Sequence, residues 1–228
     1  MSALPLYLAS ASPRRRQLLT ETGIEFEQVI VPVDEECLTA QYHGPLERLG
    51  EYLARCKAGA AREALQARGR RGLILASDTT VLLSGESLPK PHDLAEAESM
   101  LRMLRGREHV VATGVALADP HQEQIISATS STCVLMREYT DDEIATYVAT
   151  GDPLDKAGAY SIQHPAFSPV ESIVGCHLGV IGLPVCLVAA ILGGEGGLPG
   201  RGPHSVQCPW SDACRPPFPI DNVYSLRR

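Results

Sequence analysis

The chain has 228 residues, 44% hydrophobic and 21% charged, the balance of a soluble globular protein able to bury a core as one large domain or two small lobes. Twenty basic against 27 acidic side chains leave a formal charge of −7, the wrong sign for a general nucleic-acid binder, so an anionic substrate needs a local basic pocket or a bridging metal. The N-terminal Met-Ser-Ala-Leu-Pro is unlike a signal peptide, the apolar run 178–192 contains Pro184 and is too short to span a membrane, and most of the seven scattered cysteines read as reduced thiols, as in a cytoplasmic protein.

An apolar run at 4–8 reads as a strand. It ends in Ala-Ser-Ala-Ser-Pro-Arg-Arg-Arg at 9–16. Ser12 suits a helix N-cap, Pro13 the first helical position and Gly23 the stop. The helix N-terminus beside Arg14 and Arg15 favours a phosphate-bearing anion. Residues 29–33 are β-branched and apolar, so a strand is expected there, running straight into Asp34-Glu35-Glu36. From 45 to 68 the apolar spacing is helical, with Lys57 beside the stripe. Arg-Gly-Arg-Arg-Gly at 68–72 reads as a solvated turn, with an RNA contact as the sharper alternative.

Residues 73–76 read as a short buried strand, and 81–83 begin another that Gly85 turns. Asp93 with Glu96 forms a capping box opening a helix that ends near Gly106. Two long strands are expected at 110–118 and 125–136. Thr140 with Glu143 opens a further helix closing at Gly151, residues 152–182 are mostly loop and short strand, and 184–192 form a last core helix. Interleaved strands and helices make the class α/β, and the long central hairpin argues for a mixed sheet. Composition divides the chain into a globular domain at 1–192 and a Gly/Pro-rich tail at 193–228. Cys208 and Cys214 in that tail are separated by five residues, outside the usual spacing of a zinc pair, although a metal or disulfide there stays open.

Asp78 follows a buried apolar run, and a carboxylate at a strand end can hold a divalent metal or activate water. A plain turn aspartate is the alternative. Glu35, also directly after an expected strand, could share Mg²⁺ with it, or be a solvated loop acid. Lys57 could snorkel. Lys90 sits between two prolines, Lys156 precedes Ala157-Gly158, and the Gln163 amide can read a nucleobase edge or simply lie on the surface. The seven histidines show no ligand spacing, and neither a Walker-type loop nor a dinucleotide fingerprint is present.

Taken in order, these pieces resemble the Maf family of nucleoside triphosphate pyrophosphatases. The matching segments are Leu-Ala-Ser-Ala-Ser-Pro-Arg-Arg at 8–15, Asp34-Glu35, Arg48-Leu49 with Lys57, Ser-Asp-Thr at 77–79, Lys90-Pro91, Thr-Gly-Val at 113–115, Asp-Lys-Ala-Gly-Ala-Tyr at 155–160 with Gln163, and Gly-Leu-Pro at 182–184. The resemblance covers about residues 4–192. It implies a mixed twisted sheet with flanking helices and two lobes around a cleft, akin to the inosine triphosphate pyrophosphatases. It also implies hydrolysis of a nucleoside triphosphate to monophosphate and pyrophosphate, a divalent cation (Mg²⁺ or Mn²⁺), a cytoplasmic setting and a homodimer.

On that pattern Ser10, Arg14, Arg15, Lys57, Thr79, Lys90, Lys156 and Gln163 bind substrate, Glu35 and Asp78 hold the metal, and Asp78 is the general base. Arg14, Thr79 and Gln163 match the branch acting on dTTP and UTP rather than the one acting on 7-methyl-GTP. The segment after Gln163, His-Pro-Ala-Phe-Ser-Pro at 164–169, departs from the family's Gly-rich stretch, Ser161 stands where the family commonly has a glycine, and Cys176-His177 where it often has an aromatic. These changes border the expected base pocket, so a pyrophosphatase for modified nucleotides is a second reading. A non-catalytic nucleotide-responsive regulator of cell division is a third. A nucleic-acid-binding module is disfavoured by the acidic balance and the 5% aromatic content.

Overall fold

A computed structural model describes residues 4–120 and 122–193, and the expected tail, with Cys208 and Cys214, lies outside the described residues beyond 193. Strand β1 (Leu6–Leu8) leads through a loop into α1 (Pro13–Glu21), where Ser12 caps as expected, its hydroxyl accepting from the Arg15 amide. Strand β2 (Glu27–Gln28) is only two residues long. The strand expected at 29–33 does not form, because β1 ends at Leu8 and leaves it no neighbour; one further bond, Val29 N–H to the Leu8 carbonyl at 3.0 Å, marks where pairing stops.

A short helix that the sequence reading lacked, α2 (Glu35–Ala40), follows, capped by Asp34. A 3₁₀ turn (Leu46–Arg48) then opens the long helix α3 (Leu49–Ala67). The two short strands expected at 73–76 and 81–83 are one strand, β3 (Leu73–Leu83), because its pairing with the next long strand runs unbroken through Asp78 opposite Gly114. Asp78 is therefore in mid-strand rather than at a strand end.

A tight turn at Ser84-Gly85 returns the chain as β4 (Glu86–Leu88), and α4 (Leu94–Leu104) follows with Asp93 as its cap. The long hairpin is β5 (Glu108–Ala118) and β6 (Ile125–Met136), and α5 (Asp141–Val148) carries the expected capping box of Thr140 and Glu143. Residues 152–159 make two 3₁₀ turns, β7 (Val170–Val174) pairs with β6, and two helices close the described chain, α6 (His177–Ile181) and α7 (Val185–Gly193). The short α6 replaces part of the loop expected at 152–182; Cys176 caps it, its sulfur accepting from the Gly179 amide.

Among the described residues the strands form one mixed sheet in the order β2-β1-β3-β5-β6-β7, with β4 on the outer edge of β3. Strand β1 is parallel to both neighbours and the remaining pairs are antiparallel. Residues 6–8 pair with 73–75 of β3, and 86–88 pair with 81–83 on the same side. Between them, residues 76–80 of β3 have no strand on that edge. The sheet thus has a notch at its centre.

Side chains alternate across the sheet. Leu73 and Leu75 face a core shared with α1, α6 and α7, while Ile74 and Ala76 face the alanine-rich stripe of α3. A separate core beyond the notch gathers Val81, Met100, Tyr139, Tyr147 and Phe167. These cores make the two lobes. Where α3 crosses β5 the backbones almost touch: a Cβ on Gly114 would lie 2.1 Å from the Glu51 amide nitrogen, and one on Gly50 would lie 2.8 Å from the Asp78 carbonyl. That contact fixes the start of α3 on the middle of β3. In the basic loop at 68–72, Arg70 pairs with Glu27 at 2.7 Å and lies over the Tyr7 ring. Among the described residues no helix is long and apolar enough to cross a membrane.

The second lobe also buries His109, whose Nε2 lies 2.7 Å from the Tyr160 hydroxyl. Burial pushes the imidazole down from 6.5 to about 4. The unfolded chain takes up that proton near 6.5 and the folded chain only near 4, so the unfolded state holds more protons across that window. Stability should therefore fall as pH drops through it, with a slope of up to about 1.4 kcal/mol per pH unit from this group. Denaturant melts between pH 7 and 4 check this, and in His109→Gln the slope should be smaller by that amount.

Candidate active site

The notch opens into a cleft of about 1040 Å³ lined by Ser10, Arg14, Arg15, Glu35, Lys57, Asp78, Thr79, Lys90, Lys156 and Gln163. All ten residues singled out from the sequence thus meet in one cavity. Alternation explains how neighbours on β3 play different parts there. Asp78, in phase with Ile74 and Ala76, points to the α3 side. Thr79 points to the α1 and α6 side. Both reach the cleft because no strand covers their edge.

On the α3 side, Lys57 is the hub. It lies two turns beyond Gly50 on the face pressed against β3. Its ammonium is 2.5 Å from Asp78 Oδ1 and 2.7 Å from Glu35 Oε1. Side-chain exposure is 14% for Lys57 and 11% for Asp78, so this pair is sheltered, whereas Glu35 at 46% faces the opening. Asp78 Oδ2 makes no hydrogen bond among the described residues. Burial works to raise the Glu35 carboxyl, but the hydrogen bond and charge of Lys57, helped by Lys90 and Arg15, hold it below its ordinary range. Lys90 itself stands exposed on the rim with no hydrogen bond or ion pair among the described residues.

The α1 side is built round Arg15. Its Nε donates to the Gly182 carbonyl at 2.9 Å, one terminal nitrogen to Ser10 Oγ at 3.4 Å and the other to Thr79 Oγ1 at 3.3 Å. Burial lowers its pKa while the charges of Asp78 and Glu35 push back, and a guanidinium stays charged throughout. Arg15 is therefore a fixed positive charge that ties three segments together. Thr113 Oγ1 donates to Thr79 Oγ1 at 3.0 Å, holding that threonine from below.

The opposite wall comes from residues 155–163. Lys156 is buried, and its ammonium donates to the Asp152 carbonyl at 2.6 Å, Asp152 Oδ1 at 2.9 Å and Asp155 Oδ1 at 2.5 Å. All three of its protons are committed to the wall itself. Arg14 crosses from α1 to this wall through Asp155 Oδ2 at 3.2 Å. Gln163 is exposed at the rim, its backbone amide held by Ser161 Oγ at 3.2 Å.

The sequence reading missed the supports. Asp155 stands out in the sequence only as part of a motif, and Glu51 does not stand out. Glu51 is buried and takes Arg48 at 2.9 Å, Ser127 at 2.7 Å and Thr129 at 3.0 Å. It anchors the first turn of α3, and the signal for it was an acid at a core-facing helical position. No cluster of three or more His, Cys, Asp or Glu that could hold a metal exists among the described residues. The two carboxylates that meet at the Lys57 ammonium, Glu35 and Asp78, are the oxygen donors a hard divalent cation would use, with substrate oxygens and water completing its shell.

The family model for Maf-like protein matches residues 5–195. A dTTP/UTP pyrophosphatase of Thermomicrobium roseum is 44% identical over 189 residues, covering 83% of each chain. One from Cupriavidus metallidurans is 44% identical over 191 residues, 82% of this chain and 94% of the relative. One from Escherichia coli strain K12 is 41% identical over 180 residues, 79% of this chain and 87% of the relative.

Replacing the hub tests the electrostatics directly. In Lys57→Met, Glu35 loses the hydrogen bond that holds its carboxyl down, and its pKa should rise above the wild-type value. Carbon NMR of the Glu35 carboxyl would read the shift; an unmoved titration means that Lys57 does not set it.

Proposed function

The chain belongs to the Maf-like protein family, and from that premise we propose that it hydrolyses nucleoside triphosphates, dTTP and UTP foremost, to the monophosphate and pyrophosphate. The observation that carries the reading is the meeting of Asp78, Glu35, Lys57, Lys90, Arg14 and Arg15 in one cleft. The family and the names of the relatives give the reaction, and the cleft gives the residues a means to perform it.

The triphosphate lies across the notch. Ser10, Arg14 and Arg15 meet phosphate oxygens at the start of α1, where free amides and the helix dipole add to the attraction. Lys57 and Lys90 stand where negative charge builds in the transition state. Glu35 and Asp78 would hold a divalent cation, which when bound neutralises phosphate charge and helps orient the reacting groups. Asp78 accepts a proton from the water that attacks the α-phosphorus. The bond from that phosphorus to the α,β-bridging oxygen breaks, and pyrophosphate leaves with the electron pair.

Thr79 and Gln163 read the base, with the Gln163 amide able to donate and accept along a pyrimidine edge. Lys156 shapes the wall on which Gln163 sits. The setting is cytoplasmic and the assembly a homodimer, which light scattering of the purified protein tests.

Converting Asp78 to Asn keeps its size and removes the base, and turnover of dTTP should fall on the order of 10²-fold or more. Pyrophosphate release measured with and without Mg²⁺ is the assay, and near-normal turnover would remove Asp78 from the role. Arg14→Trp and Gln163→Glu should each weaken use of dTTP and UTP by about tenfold or more relative to purine nucleotides. A panel of common and modified triphosphates checks this, and unchanged selectivity would empty the assigned base pocket.

A further inference from the structure

Arg14 reaches across the cleft mouth, and its ion-pair partner among the described residues is on the other side. That partner, Asp155, is not a loose surface acid. Its Oδ1 takes the buried Lys156 ammonium at 2.5 Å, leaving Oδ2 for Arg14 at 3.2 Å. Lys156 is itself held by Asp152, whose second oxygen accepts from the Tyr147 hydroxyl at 2.7 Å. Tyr147 is a core residue of α5, and its hydroxyl also accepts from the Ser161 amide at 3.1 Å, two residues before Gln163. A continuous run of hydrogen bonds thus leads from a packed helix of the second lobe to the guanidinium of Arg14.

Each link has a physical reason. Lys156 is 8% exposed and must place three protons on acceptors. The two aspartates supply them, and its charge offsets one of theirs. Asp155 is then fixed by a sheltered cation on one oxygen while the other, on a side chain 63% exposed, faces the cleft. An arginine has several rotatable bonds, and ordering it costs side-chain entropy. Asp155 orders it before a ligand arrives.

We propose that Asp155 is a positioning residue: it holds Arg14 across the cleft mouth in the orientation that meets the nucleotide, with Lys156 and Asp152 as its support. This rests on the proposed reading of Arg14 as a substrate contact. The proposal predicts a sign opposite to that of simple charge. Were Asp155 only a negative charge at the mouth, removing it would tighten binding of a polyanion. As a positioning residue, its loss loosens Arg14 and weakens binding.

The test uses the full chain, dTTP with Mg²⁺, and pyrophosphate release. Asp155→Asn keeps an acceptor for Lys156 and should raise KM by about tenfold with kcat changed much less. Arg14→Ala should raise KM at least as much, and Asp155→Asn added to it should change little further. Calorimetry with the α,β-imido analogue of dUTP should show the same pattern in Kd. A lowered or unchanged KM in Asp155→Asn overturns the proposal, as does a full additional loss in the Arg14→Ala background.

Should Asp155→Asn not fold, Asp155→Glu keeps the charge and displaces it by one methylene. It should raise KM by a smaller factor, and an unchanged KM there also overturns the proposal. A wild-type protein that neither binds the analogue nor releases pyrophosphate would defeat the reading of the site itself. Normal wild-type turnover with an indifferent Asp155 defeats only this step.

Discussion

One ammonium holds the centre of this protein together. Lys57 sits within 2.7 Å of carboxylates from two different elements, the first turn of α2 and the middle of β3. Without a cation between them, Glu35 and Asp78 would repel each other in a sheltered place where repulsion is poorly screened. With it, the two acids can lie side by side, and the Glu35 carboxyl is held below its ordinary range. The position of Lys57 in turn depends on bare glycine backbone: Gly50 and Gly114 let α3 come down onto the sheet, and Lys57 follows two turns later.

Around that centre the cleft has two unlike walls. One is the sheet with α1, α2 and α3, where Asp78 is fixed by pairing on a long strand and Arg15 by three hydrogen bonds to separate segments. The other is the irregular stretch 152–163, held in shape by Lys156 and its two aspartates. Irregular backbone of this kind suits a wall that must fit a particular ligand, while a sheet suits groups whose geometry must not vary.

Much of this was legible in the chain. The cap at Ser12 and Pro13, the box at Thr140 and Glu143 and the alternating hairpin at 108–136 are local patterns that tertiary structure did not override. So are the ten cleft residues, because their types and order match a known family. What failed was non-local. Residues 29–33 are good strand formers, but a strand needs a neighbour and β1 had ended. Ser77, Asp78, Thr79 and Thr80 look like a break in an apolar run, yet unbroken pairing with β5 carries them through as strand. Asp155 gave no signal as a support and Glu51 only that of an acid on a core-facing helical position, since what each does is set by partners far away in sequence, Arg14 in one case and Ser127 in the other.

The notch in the sheet has a consequence of its own. A bare strand edge is a template on which another chain can add itself, and proteins ordinarily hide or charge such edges. Here the unpaired stretch is only residues 76–80, hemmed in by β1 at one end and β4 at the other. A foreign strand would have to enter sideways into a slot of five residues with no room to overhang at either end. An opening this narrow disfavours strand addition, so the fold keeps uncapped backbone at the centre of its cleft without inviting self-association there.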